Sequence, residues 1–189
     1  MKGILFKPEM IKAIVEGRKT ETRRVIKPQP CHNMVERFWQ KPRYQPGETV
    51  YIKEAWALHE WILPNVLHDD LWIFLNFRDG ERRRYRFSEW PEGFDKSHHV
   101  RNGRGEWQSP LFFKEIFARD FIKILNLRAE RLQEISSPDI YAEGLPDIAY
   151  VATPIQWYKQ VWNSINKEYP WESNPFVWVY KFERCDYGS

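Results

Sequence analysis

The chain has 189 residues, 42% of them hydrophobic and 16% aromatic, which is enough to build a core and argues against a disordered chain. The net charge of +3 is too small to name a partner, but its distribution is uneven. Residues 1–30 hold eight Lys/Arg against three Asp/Glu, and residues 78–104 hold eight against five, so basic character is concentrated as an anionic-ligand site requires.

In chain order, KGILF (2–6) reads as an opening strand. PEMIKAIVEG (8–17) reads as a helix: Pro8 and Glu9 suit its first turn, Gly17 suits its end, and Met10, Ala13 and Ile14 share a face. GRKTETRR (17–24) then falls where the helix stops, and is expected as an exposed turn leading to Val25 and Ile26. Residues 27–47 are proline-rich and loop-like. ETVYIKEAWAL (48–58) alternates as one strand, and DLWIFLNF (70–77) and RRRYRF (82–87) flank an Asp79-Gly80 hairpin turn. Residues 88–108 look irregular. A long strand is expected over 119–132, and a short helix over 136–144 with Ser137 as cap, Pro138 in the first turn and Gly144 at the end. A longer helix spans 153–169, capped by Thr153 and carrying the stripe Ile155, Tyr158, Val161, Trp162 and Ile165. PFVWVYKFER (175–184), apolar on both faces, reads as a central strand.

Helices and strands do not alternate, which argues against a doubly wound parallel sheet and for an α+β fold with a mixed or closed antiparallel sheet and peripheral helices. Two cysteines, Cys31 and Cys185, form no CxxC or Cys/His cluster, so a reduced protein without a disulfide framework is expected. No apolar signal core opens the chain, and no apolar run approaches the ~20 residues of a membrane span. A cytoplasmic protein away from the membrane is the expectation. His68-Asp69-Asp70 and His98-His99 are poor metal candidates, because adjacent residues rarely point at one ion. No metal or cofactor is expected, and the phosphate-loop, dinucleotide, serine-hydrolase and zinc-protease signatures are absent.

GRKTETRR carries the chemistry. A threonine hydroxyl needs a base before it attacks a carbonyl. A lysine becomes such a base when nearby cations or burial disfavour its charged form, and Lys19 stands among Arg18, Arg23 and Arg24. On the residues alone the favoured reading is a basic turn that binds phosphate or only water.

The pattern Gly17-Arg18-Lys19-Thr20-x-Thr22-x-Arg24 after a helix resembles the signature of the ASCH domain family, relatives of PUA-like RNA-binding barrels. PGETVYIKEAW (46–56) is similar to the family's strand ending in a glutamate and a tryptophan. RAERLQEISSPDIYAEG (128–144) is similar to its segment closing on Ala-Glu-Gly. VWNSIN and NPFVWVYKF resemble the ending of a longer subgroup common in phages and prophages. FKEIFAR (113–119) keeps that subgroup's closing arginine, Arg119, with Ala118 in place of its serine.

The resemblance implies a single PUA-like β-barrel domain over 1–189 with an insertion at about 57–108. It implies action on nucleosides or RNA, and for the compact members amide hydrolysis of N-acetylated cytidine. By motif position Lys19, Thr22 and Glu143 are the catalytic set. Arg18, Arg23, Arg24, Glu54, Trp56 and Arg119 are candidate substrate contacts. A non-catalytic RNA or modified-nucleotide reader, with the basic hairpin Arg82, Arg83, Arg84 and Arg86 as a second contact surface, and a ribonuclease are the alternatives.

Overall fold

The computed structural model describes residues 1–30, 41–61, 72–86, 100–101, 104–146 and 153–186. His68-Asp69-Asp70, His98-His99, Cys31 and most of the irregular stretch before Arg104 lie outside these residues. The chain divides into two compact units, residues 1–8 with 51–119 and residues 9–50 with 120–189.

The second unit is built on three antiparallel strands, β2 (Glu21–Val25), β9 (Phe121–Arg131) and β10 (Phe176–Cys185), in the order β9-β10-β2. β10 is central because both of its faces are apolar. Val177 and Val179 are buried on one side, Tyr180 and Phe182 on the other. Its register sets Tyr180 opposite Thr22 and Trp178 opposite Arg24. A slip in its pairing with β9 after Lys181 leaves Leu125 out of register and exposed. The start of the strand at 49–53 is tied to β9 by Gly47 N–H donating to Ile124 O and Ile124 N–H donating to Glu48 O.

Helices α1 (Pro8–Val15, in this unit from Glu9), α2 (Ser137–Ala142) and α3 (Pro154–Ile165) complete this unit. The cap of α2 is Ser136 rather than Ser137. Its hydroxyl accepts from Asp139 N–H while the Asp139 carboxylate accepts from Ser136 N–H, a reciprocal box that Ser137 is one residue too late to make. Thr153 caps α3, as its sequence predicts. Of the α3 stripe, Tyr158 and Trp162 are buried at its centre, while Ile155 and Ile165 at its two ends are exposed. Tyr158 and Trp162 pack with Leu132, Ile140, Val177 and Val179 into one core between the helices and β10.

The first unit pairs β1 (Gly3–Leu5) parallel with β3 (Thr49–Lys53) over Tyr51–Lys53. Gly3 has to be glycine there, since a Cβ would meet the Tyr51 ring at 2.6 Å. β4 (Trp56–Trp61), β5 (Trp72–Phe77) and β6 (Arg82–Arg86) form an antiparallel meander, and Gly80 turns the β5–β6 connection at φ +91°. The two-residue strands β7 (Val100–Arg101) and β8 (Arg104–Gly105) pair with each other. The single strand expected over 48–58 is therefore two. β3 joins a parallel partner and β4 an antiparallel one, so the chain changes sheet at Glu54-Ala55. Phe77, Phe113, Phe117 and Trp56 form the aromatic centre of this unit.

The architecture is mixed α+β, with few helices. Among the described residues no sheet closes into a barrel. No described helix is long and apolar enough to cross a membrane.

Candidate active site: a buried lysine–glutamate pair

GRKTETRR is not an exposed turn. Arg18 is partly exposed, but Lys19, Glu21, Thr22 and Arg23 are buried, and Glu21–Val25 is strand. Gly17 leaves α1 at φ +75°, and the backbone N–H groups of both Arg18 and Lys19 donate to Ala13 O, which folds the chain back on the helix end. Thr20 N–H then donates to Ala142 O, and Thr20 O accepts from Phe182 N–H. Lys19 is thereby paired, as an isolated antiparallel bridge, with Glu143 at the end of α2. Gly144 makes this approach possible. Its φ is +93°, and a Cβ there would lie 3.1 Å from the Cβ atoms of Ala13 and Lys19.

The side chain of Lys19 is wholly buried, so its ammonium needs partners. It donates to Glu143 Oε2 at 2.5 Å, to Glu21 O at 2.8 Å and to Glu143 O at 3.0 Å. None of these three bonds goes to Thr22. Burial pushes the lysine pKa down; Glu143 opposes that, and the charges of Arg24 and Arg23 add to it.

The other oxygen of Glu143, Oε1, accepts from Arg23 Nη1 at 3.1 Å and from the Tyr158 hydroxyl at 3.5 Å. Burial, and then the charge of Glu143, hold the Tyr158 phenol well above its ordinary pKa. Arg23 is itself fully buried and reaches three more carboxylates: Glu130 at 2.8 Å, Asp139 at 3.2 Å and Glu21 at 3.6 Å. Burial alone would lower its pKa, but Glu143 and its other partners outweigh that. Arg128, 40% exposed, closes the network by pairing with Glu21, Glu130 and Asp139.

Strand alternation divides β2. Glu21 and Arg23 face this network, so Thr22 and Arg24 lie on the opposite face, with Trp178 and Tyr180 of β10 beside them. Tyr180 meets Tyr44 edge-to-face at 5.4 Å. Burial lowers the pKa of Arg24, and Tyr44, Glu143 and Tyr180 oppose that. Since β2 is the last strand in its order, Lys19 and Glu143 sit along its free side, within the field of both arginines.

Lys19, Thr22, Glu143, Arg23 and Arg24 therefore belong to one region. Arg18 borders it. Its guanidinium is held by the Glu16 carboxylate and donates to Gly144 O at 3.1 Å. Glu54, Trp56 and Arg119 belong to the other unit. There Arg119 grips Glu54 through two bonds of 2.9 and 2.6 Å, pairs with Asp79 and Glu81 at 2.6 Å each, and lies over the Phe77 ring at 4.1 Å. Burial would lower the Arg119 pKa, but the bonds to Glu54, Asp79 and Glu81 raise it above its usual value. Trp56 is fully buried against Phe117.

Sequence reasoning passed over Tyr158, Glu130, Asp139 and Arg128. The one local sign was the charged alternation Arg128-x-Glu130 at the end of an otherwise apolar strand. Among the described residues no group of three or more His, Cys, Asp or Glu is placed to hold a metal ion. The chain matches no family model, no curated protein and no solved structure.

Proposed function

We propose that this is an ASCH-type protein of PUA-like architecture that hydrolyses the amide of an N-acylated cytosine nucleoside. Thr22 is the nucleophile, Lys19 the base and Glu143 the acid for the leaving amine. The observation that carries the reading is the 2.5 Å bond between Lys19 Nζ and Glu143 Oε2 inside the protein. Transfer of one proton along it gives a neutral amine and a carboxylic acid, which are the states that attack and departure require. Burial, the largest cause of the lowered lysine pKa, disfavours the charged pair and so favours that transfer.

The reaction then balances. Thr22 Oγ1 attacks the amide carbonyl as Lys19 takes the hydroxyl proton. The C–N bond breaks as Glu143 protonates the cytosine N4, leaving an acyl ester on Thr22. Water attacks the ester and gives its proton to the Glu143 carboxylate. Thr22 Oγ1 departs with the proton from Lys19, and both groups return to their starting states. Arg24, on the Thr22 face of β2, is suited to meet the oxyanion. Three bonds of Lys19 Nζ go to Glu21 and Glu143 rather than to Thr22, and catalytic hydrogen bonds often tighten only in the complex. The phosphate-clamp reading of GRKTETRR loses support, because Arg23 is buried among four carboxylates and Arg18 is held by Glu16.

The test is release of cytidine from N-acetylcytidine by purified protein. Lys19→Met, Thr22→Val and Glu143→Gln should each lower kcat/KM by about 10²–10⁴-fold. In the wild type the competent state keeps one proton on the pair, so kcat/KM should fall as that proton is lost, around a midpoint below the 10.5 of an ordinary lysine. No turnover across a panel of N-acylated cytosine nucleosides would sink the proposal.

A second reading, RNA binding, is favoured by one surface. Arg82 and Arg84 are exposed on β6, and Arg78 lies over the part-exposed ring of Trp107 at 4.1 Å. It requires affinity for single-stranded RNA that falls steeply with salt and is lost in Arg82→Ala/Arg84→Ala; binding indifferent to salt counts against it.

A further inference from the structure

We infer that Arg23 is a positioning residue, tying the Glu143 carboxylate to Glu130 of β9 and Asp139 of α2 so that Oε2 stays directed at Lys19. This reassigns a residue that the sequence offers as a substrate contact. Its geometry stands on its own; its kinetic consequence rests on the hydrolase reading.

Glu143 follows the six-residue helix α2 as its cap residue and precedes a glycine at positive φ, so the backbone alone leaves its side chain several rotamers. The guanidinium plane restricts them. Nε bonds Glu130 Oε1 at 2.8 Å, Nη1 bonds Glu143 Oε1 at 3.1 Å, and Nη2 lies 3.2 Å from Asp139 Oδ2. One rigid fork thus spans a strand, the body of a helix and the end of that helix. With Oε1 held by Arg23 and by Tyr158 of α3, Oε2 is left for Lys19. Arg23 has no exposed side chain with which to meet a substrate, and alternation along β2 turns it away from Thr22. Arg24 takes the other face, which divides the two adjacent arginines by role.

The charged and titratable groups that act on the pair are Arg23 and, from the other face of β2, Arg24, with Tyr158 of α3 on the Glu143 side. Glu21, Glu130 and Asp139 face Arg23. Arg23 holds in place the carboxylate that opposes the burial of Lys19, and its own charge acts on Lys19 less than Glu143 does, so its removal should lower the Lys19 pKa.

The experiment uses full-length protein with ¹³Cε-labelled lysine, assigned by Lys19→Met. Arg23→Gln and the milder Glu130→Gln, which keeps every group that touches Lys19, are compared with wild type. In Arg23→Gln the Lys19 resonance should titrate at lower pH than in wild type, because the displaced Glu143 carboxylate no longer supports the ammonium. On N-acetylcytidine, kcat should fall about 10²-fold, as for a displaced catalytic group, with KM almost unchanged. Glu130→Gln should lower kcat in the same way but less. A Lys19 titration that is unchanged, or raised as the loss of a like charge alone would raise it, in a folded Arg23→Gln protein overturns the inference. So does a rise in KM at constant kcat, which would make Arg23 a substrate contact. If wild type turns over no acylated nucleoside, the hydrolase reading fails, and the lysine titration alone decides the role of Arg23.

Discussion

At the scale of single residues, the network is almost balanced. Lys19, Arg23 and Arg128 stand with Glu21, Glu130, Asp139 and Glu143, three cations with four carboxylates, and Arg24 lies on the other face of β2. The Lys19–Glu143 and Arg23–Glu143 pairs are its most deeply buried contacts. Replacing a well-made buried pair by apolar residues is often neutral, whereas removing one partner strands the other. Glu143→Ala leaves the buried Lys19 without its carboxylate and should cost about 3–5 kcal/mol. The double variant Lys19→Met/Glu143→Leu should recover most of that stability while remaining inactive on N-acetylcytidine. Urea unfolding of the single and double variants measures this. If both are equally destabilised, the cost lies in packing around Glu143 rather than in the stranded lysine.

At the scale of elements, the site depends on two helix ends meeting. α1 ends at Gly17 and α2 at Gly144, both at positive φ, and the chain between Ala13 and Lys19 packs directly on Gly144. Gly144→Ala should cost about 1–2 kcal/mol for the left-handed backbone alone. It should cost activity as well, because the added methyl meets Ala13 and Lys19 at 3.1 Å and pushes Glu143 off its partner. Gly17→Ala has the same backbone strain, but nothing lies within 4 Å of the added atom. It should therefore lose stability with a much smaller loss of kcat; equal losses of kcat in the two variants would contradict this account. The elements themselves were largely legible. β10 announced itself as central through two apolar faces, α3 through Thr153 and an apolar stripe whose centre is buried, and the β5–β6 hairpin through Asp79-Gly80. The burial of GRKTETRR was not legible, because its neutralising partners come from far along the chain; Glu143 lies 124 residues beyond Lys19. Local periodicity registers only nearby charge, and four cations in eight residues read as solvent-facing. Glu143 was found through the family resemblance, and its helix signals alone would have left it a surface carboxylate.

At the scale of the whole molecule, these charges set the response to pH. Burial would raise the pKa of Asp139, but its bonds with Ser136 and the charges of Arg23 and Arg128 bring it below the usual 3.8. Asp79, in the other unit, is lowered in the same way: Arg119 and the Glu81 N–H outweigh burial. For both, the folded state binds fewer protons than the unfolded chain just below pH 3.8. Their contribution is thus present above that pH and is lost as pH falls through the lowered values. Lys19 works on the alkaline side. Its folded pKa lies below 10.5, so between the two the unfolded chain holds more protons, and stability rises with pH across that window. Tyr158, raised well above 10, reverses the trend beyond pH 10, where the unfolded phenol ionises first. The urea midpoint should therefore fall steeply below about pH 4 and rise on the alkaline flank before turning down. Asp139→Asn should flatten the acid fall, since an amide keeps the Ser136 bond without titrating. Lys19→Met should remove the alkaline rise and leave the acid limb alone. A wild-type midpoint that is flat from neutrality towards pH 10 would mean that Lys19 is charged in the folded protein as freely as in water, and would remove the electrostatic basis for using it as a base.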